Sequence, residues 1–149
     1  MPLLLILLLV AAALGLIGTG TVSGMTGASN TFTDLVNLAR SAGFANVSAP
    51  IAAAIALAES GGDPTAYNKE AQDVPGRYNR TSADDGLGSY GLWQIYLAAH
   101  PEFQGMNLRD PQTNAAAAFS VYSNGGGFTA WATFNDLKYQ KFLVGGFNA

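Results

Sequence analysis

Glu59 stands where a solvated carboxylate has no reason to be. Ile51, Ile55 and Glu59 are spaced i, i+4 and i+8, so a helix sets them along nearly one line that is apolar until the acid. The run Ile51-Ala52-Ala53-Ala54-Ile55-Ala56-Leu57-Ala58 marks that line as the face turned toward a core. Gly61-Gly62 stop the helix directly behind the acid, which therefore meets the negative end of the helix macrodipole, and the nearest basic side chain in sequence is Lys69. Desolvation and the helix end both penalise the charged form, so the sequence predicts a carboxyl that keeps its proton near neutrality. Such an acid suits delivery of a proton to the poor leaving-group oxygen of a glycosidic bond. A helix-end Glu that simply faces solvent is the competing reading.

Two-carboxylate glycosidases need a partner about 5–5.5 Å away when retaining and about 6.5–9.5 Å away when inverting. Asp84 and Asp85 are the candidates, but Asp-Asp-Gly is more often an ordinary exposed turn, and neither is given a catalytic role. The absence of cysteine removes thiolate nucleophiles, disulfides and zinc-thiolate sites, and the lone His100 rules out a multi-histidine metal cluster. No metal site and no organic cofactor is expected. His100 reads as structural or superficial and Glu102 as solvated, while Arg77 and Arg80 are loop cations able to meet a substrate carboxylate. A net charge of -3 leaves no basic footprint, which excludes nucleic acid as a partner.

The elements that position Glu59 are mostly helical. A first helix is predicted from Thr33 to Ala42, with Leu35, Val36, Leu38 and Ala39 as its apolar stripe and Gly43 as its stop. The helix of Glu59 opens at Ser48 as N-cap, with Pro50 tolerated in its first turn. Residues 63–89 then show no sustained period and read as a long loop walling a cleft. A short apolar segment follows from Tyr90 to Ala99. Asp110-Pro111 supply N-cap and N1 of a helix to Ser123, which Gly125-Gly126-Gly127 terminate. A last helical region spans 129–142 with an interruption near Asn135-Asp136. At 149 residues the chain suits one domain, running from residue 31 to 149.

Ahead of that domain the first 33 residues carry no charged side chain, and Leu3 to Val22 form an apolar stretch of 20 residues. As a helix it is about 30 Å long, the thickness of a bilayer's hydrocarbon core. Residues 1–22 therefore read as a membrane anchor or an uncleaved signal-like helix. The rivals are a signal peptide ending near Ala11-Ala12-Ala13, though no Lys or Arg precedes it, and a buried core helix. Residues 23–30 read as a flexible Gly/Ser/Thr linker.

Ala58-Glu59-Ser60-Gly61-Gly62 followed by Gly91-Leu92-Trp93-Gln94-Ile95 resembles the signature of soluble lytic transglycosylases and goose-type lysozymes. The likeness runs from about Leu35 to about Phe142 and includes Leu108-Arg109-Asp110-Pro111 and Asn114-Ala115-Ala116. It implies a mainly α, lysozyme-like domain with a long cleft-lining loop, acting on the β-1,4 bond between N-acetylmuramic acid and N-acetylglucosamine in peptidoglycan. Glu59 would be the single acid and base of a transglycosylase. A hydrolytic lysozyme, or a membrane-tethered glycan-binding or virion structural protein without activity, are the alternatives. The resemblance sets Trp93 in place of a usual Met on a sugar-facing floor.

Substrate contacts are expected from Ser60, Tyr90, Gly91, Trp93, Gln94, Tyr122, Trp131 and Phe134. For Gln94 the chemistry is recognition of an N-acetyl group or ring hydroxyl through its planar amide, and for the aromatics it is stacking on sugar faces. The resemblance also implies a tyrosine hydroxyl in a third motif, where this chain reads Trp131-Ala132-Thr133-Phe134-Asn135; either Tyr122, Tyr90 or a water then supplies the hydroxyl that Phe134 lacks, or activity is reduced. Expected partners are peptidoglycan strands and a membrane through the N-terminal helix, in a virion or the bacterial cell envelope.

Overall fold

The computed structural model describes residues 29–68 and 86–145, with backbone alone at 144 and 145. The expected anchor, residues 1–22, lies outside them, as do Arg77, Arg80, Asp84 and Asp85. Among the described residues no helix is long and apolar enough to cross a membrane.

The fold is mainly helical, as expected. Helix α1 (Phe32–Ala42) starts earlier than its apolar period suggests, because Thr31 and Asp34 build a capping box. The Asp34 amide donates to Thr31 Oγ1 at 3.3 Å, and the Asp34 carboxylate accepts from the Thr31 amide at 3.0 Å. Helix α2 (Ala49–Ser60) carries Glu59. Ser48 does not cap it: its backbone is already helical, and its hydroxyl donates back to the Ala45 carbonyl at 3.1 Å. The reason is local. Ser48 and Ala49 both donate their amides to the Ala45 carbonyl, so the chain is coiled before Ser48 and the hydroxyl has a carbonyl, not an orphan amide, within reach.

Ala49, Ala52, Ala53, Ala54, Ile55 and Ala56 are all fully buried, so α2 is apolar nearly all round and forms the central helix. Its alanines let the neighbouring backbones come close. Helix α1 packs along it, and two C-terminal helices, α4 (Ala132–Asn135) and α5 (Gln140–Gly145), meet it too. Helix α3 (Pro111–Asn124) packs on α1 and begins as predicted, with the Asp110 carboxylate accepting from the Thr113 amide at 2.8 Å. The region expected as one interrupted helix is divided more finely, into a 3-10 turn over Phe128–Ala130, then α4, then α5.

A small antiparallel sheet joins this bundle. Strands β1 (Tyr67–Asn68), β2 (Ser89–Tyr90) and β3 (Ile95–Tyr96) lie in that order, with Tyr67 opposite Tyr90 and Tyr90 opposite Ile95. Strands of two residues are too short to show alternation, so no period in the sequence predicts them. Aromatic rings fill the space where α1 ends and α3 turns: Phe44 packs on Phe119, Tyr122 and Phe128 with centroids 5.1, 5.0 and 5.9 Å away.

Candidate active site

Glu59 is the penultimate residue of α2, half-buried, one turn beyond the fully buried Ile55. Its Oε1 accepts a hydrogen bond from Thr133 Oγ1, on α4, at 2.6 Å. The acid is thereby tied to a residue 74 positions away. Every other described carboxylate has a partner close in sequence. Asp34 serves Thr31, Asp63 accepts from Thr65, Glu102 faces His100 at 3.2 Å, Asp110 caps α3, and Asp136 pairs with Lys138. Those five do local work at element ends and turns, whereas Glu59 faces a distant part of the chain.

Residues 91–94 form the loop between β2 and β3. Gly91 has φ +72, and a Cβ there would collide with the Leu108 carbonyl oxygen and the Asn114 side chain, so only glycine fits. Gln94 also lies at positive φ, +47, which is costly for a residue with a side chain. Its amide nitrogen compensates by donating to the Gly91 carbonyl at 2.9 Å and the Ala66 carbonyl at 3.3 Å. With the donors spent on backbone, the oxygen of the Gln94 amide is the atom left for a ligand, as an acceptor.

Asn114 holds this loop from α3. Fully buried, it accepts from the Trp93 amide at 2.8 Å and donates to the Tyr90 and Leu108 carbonyls, both at 2.9 Å. Two tryptophans continue the linkage. Trp93 Nε1 donates to the Ala52 carbonyl on α2 at 2.9 Å, and Trp131 Nε1 donates to the Trp93 carbonyl at 2.9 Å.

These bonds correct the expectation of a sugar-facing Trp93. Its ring is 1% exposed and Trp131 is 6% exposed, because each indole N–H is satisfied by a main-chain carbonyl inside the core. Tyr90 is also buried; its ring packs on Tyr67, and the Arg109 guanidinium lies 5.1 Å from its centroid. Ser60 finishes the helix, its hydroxyl donating to the Ala56 carbonyl at 2.9 Å and accepting from the Gly62 amide at 3.2 Å. Tyr122 and Phe134 are half-buried. Tyr122 lies 4.6 Å from Phe128, and Phe134 stacks on Tyr139 at 5.0 Å. A hydroxyl that does reach Glu59 is that of Thr133, one residue ahead of Phe134.

The sequence reading passed over three residues. Thr133 gave no signal, since a threonine in a short helix is commonplace. Asn114 had one, as the polar residue leading into the run Ala115-Ala116-Ala117-Ala118. Asn30 was placed in the linker, yet it is 3% exposed and both its amide and its side-chain nitrogen donate to the Gly62 carbonyl, at 2.7 and 3.2 Å. Among the described residues no group of three His, Asp or Glu side chains lies close enough to hold a metal ion.

Residues 36–133 match the family model described as a lysozyme-like domain, a span that contains Glu59, the Gly91–Gln94 loop and Thr133. The chain belongs to the lysozyme-like domain family. No curated protein and no solved structure gives a match. At the level of the family, a lysozyme-like domain implies glycosidase or transglycosylase action on peptidoglycan. In this lysozyme-like domain the matched span ends on Thr133 itself, so Phe134, Tyr139 and α5 lie beyond it.

Proposed function

We propose that this lysozyme-like domain cleaves the β-1,4 bond between N-acetylmuramic acid and N-acetylglucosamine as a lytic transglycosylase, with Glu59 as both acid and base. The observation that carries the reading is Glu59 itself: a half-buried carboxyl at the end of an apolar helix, bonded across the fold, while the other described carboxylates are engaged close to home. A single carboxyl suffices for transglycosylation. Protonated Glu59 gives its proton to the glycosidic oxygen as the bond to C1 of the muramyl ring breaks. The resulting carboxylate takes the proton of that ring's own C6 hydroxyl, whose oxygen closes on C1. The products are a shortened strand and a 1,6-anhydromuramyl end, no water is consumed, and Glu59 is left protonated.

Gln94 is suited to one part of recognition. The free acceptor on its amide matches the N–H of an N-acetyl group, and the strained backbone that presents it is held by two carbonyls. Tyr122, half-buried, keeps part of a ring accessible for contact with a sugar face. Residues 1–22 are proposed to fix the domain to a membrane, in a virion or the cell envelope. Mass analysis of purified peptidoglycan digested by the protein tests the reaction: fragments ending in anhydro sugars are expected. Reducing ends would make the protein a hydrolytic lysozyme, and uncut strands would leave only glycan binding.

A further inference from the structure

We infer that Thr133 is the positioning residue of Glu59: the Trp131–Thr133 turn, clamped to α2 by two tryptophan N–H bonds, aims a hydroxyl at Oε1 and stabilises the carboxylate that forms when the proton leaves. The inference rests on Glu59 being the acid. Its structural base is a closed circuit. From Ala52 on α2, the chain of bonds runs to the Trp93 indole, from the Trp93 carbonyl to the Trp131 indole, and from Thr133, in the same turn as Trp131, back to Glu59 near the end of α2. Both rings in that circuit are buried in the core, so the turn has little freedom to slide along the helix.

A hydroxyl held this way acts differently on the two states of the acid. At 2.6 Å the contact falls in the range of about 2.5–2.7 Å for O–H···O⁻ bonds, which are roughly twice as strong as neutral ones. The bond therefore tightens as negative charge grows on Glu59 during proton transfer, and an interaction that strengthens toward the transition state raises turnover more than binding. Thr133 touches no reacting atom and works through the acid alone.

The test compares Thr133→Val, nearly isosteric but without a hydroxyl, with Thr133→Ser, which keeps it. Turnover and KM are measured on soluble uncrosslinked glycan strands, and melting temperature on the same samples. A kcat lower by roughly ten- to a hundredfold is expected for the valine variant, with KM within about twofold and the serine variant restored to within a few-fold of wild type. Where the valine variant does not fold, Thr133→Ala is read in its place. A hydroxyl-free variant with unchanged kcat, a loss confined to KM, or a serine variant as slow as valine overturns the inference. If wild type cuts while Glu59→Gln does not, those results sink Thr133 alone; a wild type that cuts nothing removes the catalytic reading and this inference with it.

Discussion

A proton donor is defined by what surrounds it, and around Glu59, the proposed donor, the described residues place the apolar line of α2 beneath it, the helix end beside it and the Thr133 hydroxyl across from it. Glu59→Gln keeps the shape and still accepts from Thr133, but carries no acidic proton. Cleavage should fall by on the order of 10²–10⁴, the usual contribution of general acid–base catalysis. Stability should stay within about 1 kcal/mol of wild type, as read from urea unfolding. Full lytic activity in the purified variant would refute the assignment. That Glu59 closes the apolar line of α2 was legible from spacing alone, because an acid ending an i, i+4 line of isoleucines conflicts with simple patterning. Thr133 was not legible. Which side chain of Trp131-Ala132-Thr133-Phe134 turns back toward α2 depends on where α4 begins, and that start is set by the long-range bond from Trp131 to Trp93, not by any local signal.

Glycines and one cap made the ends of α1 and α2 and the start of α3 readable in advance, since Gly43, Gly61, Asp110 and Pro111 act within one turn of their own position, whereas the Thr31 cap of α1 was not read and Ser48 proved not to cap α2. The sheet was unreadable for the opposite reason: its pairing is held from outside, by a buried asparagine on a helix. Asn114→Ala would leave the Trp93 amide and the Tyr90 and Leu108 carbonyls each short of a partner in the core. Each unsatisfied group costs about 1–3 kcal/mol, and a combined loss of roughly 3–5 kcal/mol is expected, with Asp and Ser also unable to replace the three bonds together. The midpoint of chemical denaturation measures it. A loss below about 1 kcal/mol would show that the loop supports itself. The same network explains why Trp93 is buried though it sits in a motif whose likeness pointed to the cleft: Gly91, Leu92 and Trp93 are packed inward, and Gln94 alone of the loop is half-exposed.

At the scale of the molecule, the fold is a helix bundle gathered round α2, with the described chain entering beside the end that carries Glu59. A protein beginning at residue 29 keeps the bonds of Asn30 to Gly62, and one beginning at residue 31 loses both. The shorter form should be less stable by about 1–3 kcal/mol in thermal unfolding, and equal melting temperatures would show the pair to be incidental. Full-length protein is expected in the detergent-rich phase of a cloud-point extraction, and the form beginning at residue 29 in the aqueous phase, since only the former has the apolar stretch of residues 3–22. Intact protein found in the aqueous phase would rule out the anchor.

Gly62 admits no Cβ, because the carbonyl of Asn30 fills that space, so the incoming strand and the end of the acid's helix touch backbone to backbone. The contact is also a force path. Tension applied through the amino end is shared between the backbone leading into α1 and two hydrogen bonds that run directly to Gly62, three residues from Glu59. If Glu59 is the acid, an enzyme tethered by that end and pulled by its substrate would feel part of the load close to its proposed proton donor, and its turnover under a stretching force should drop before the domain unfolds.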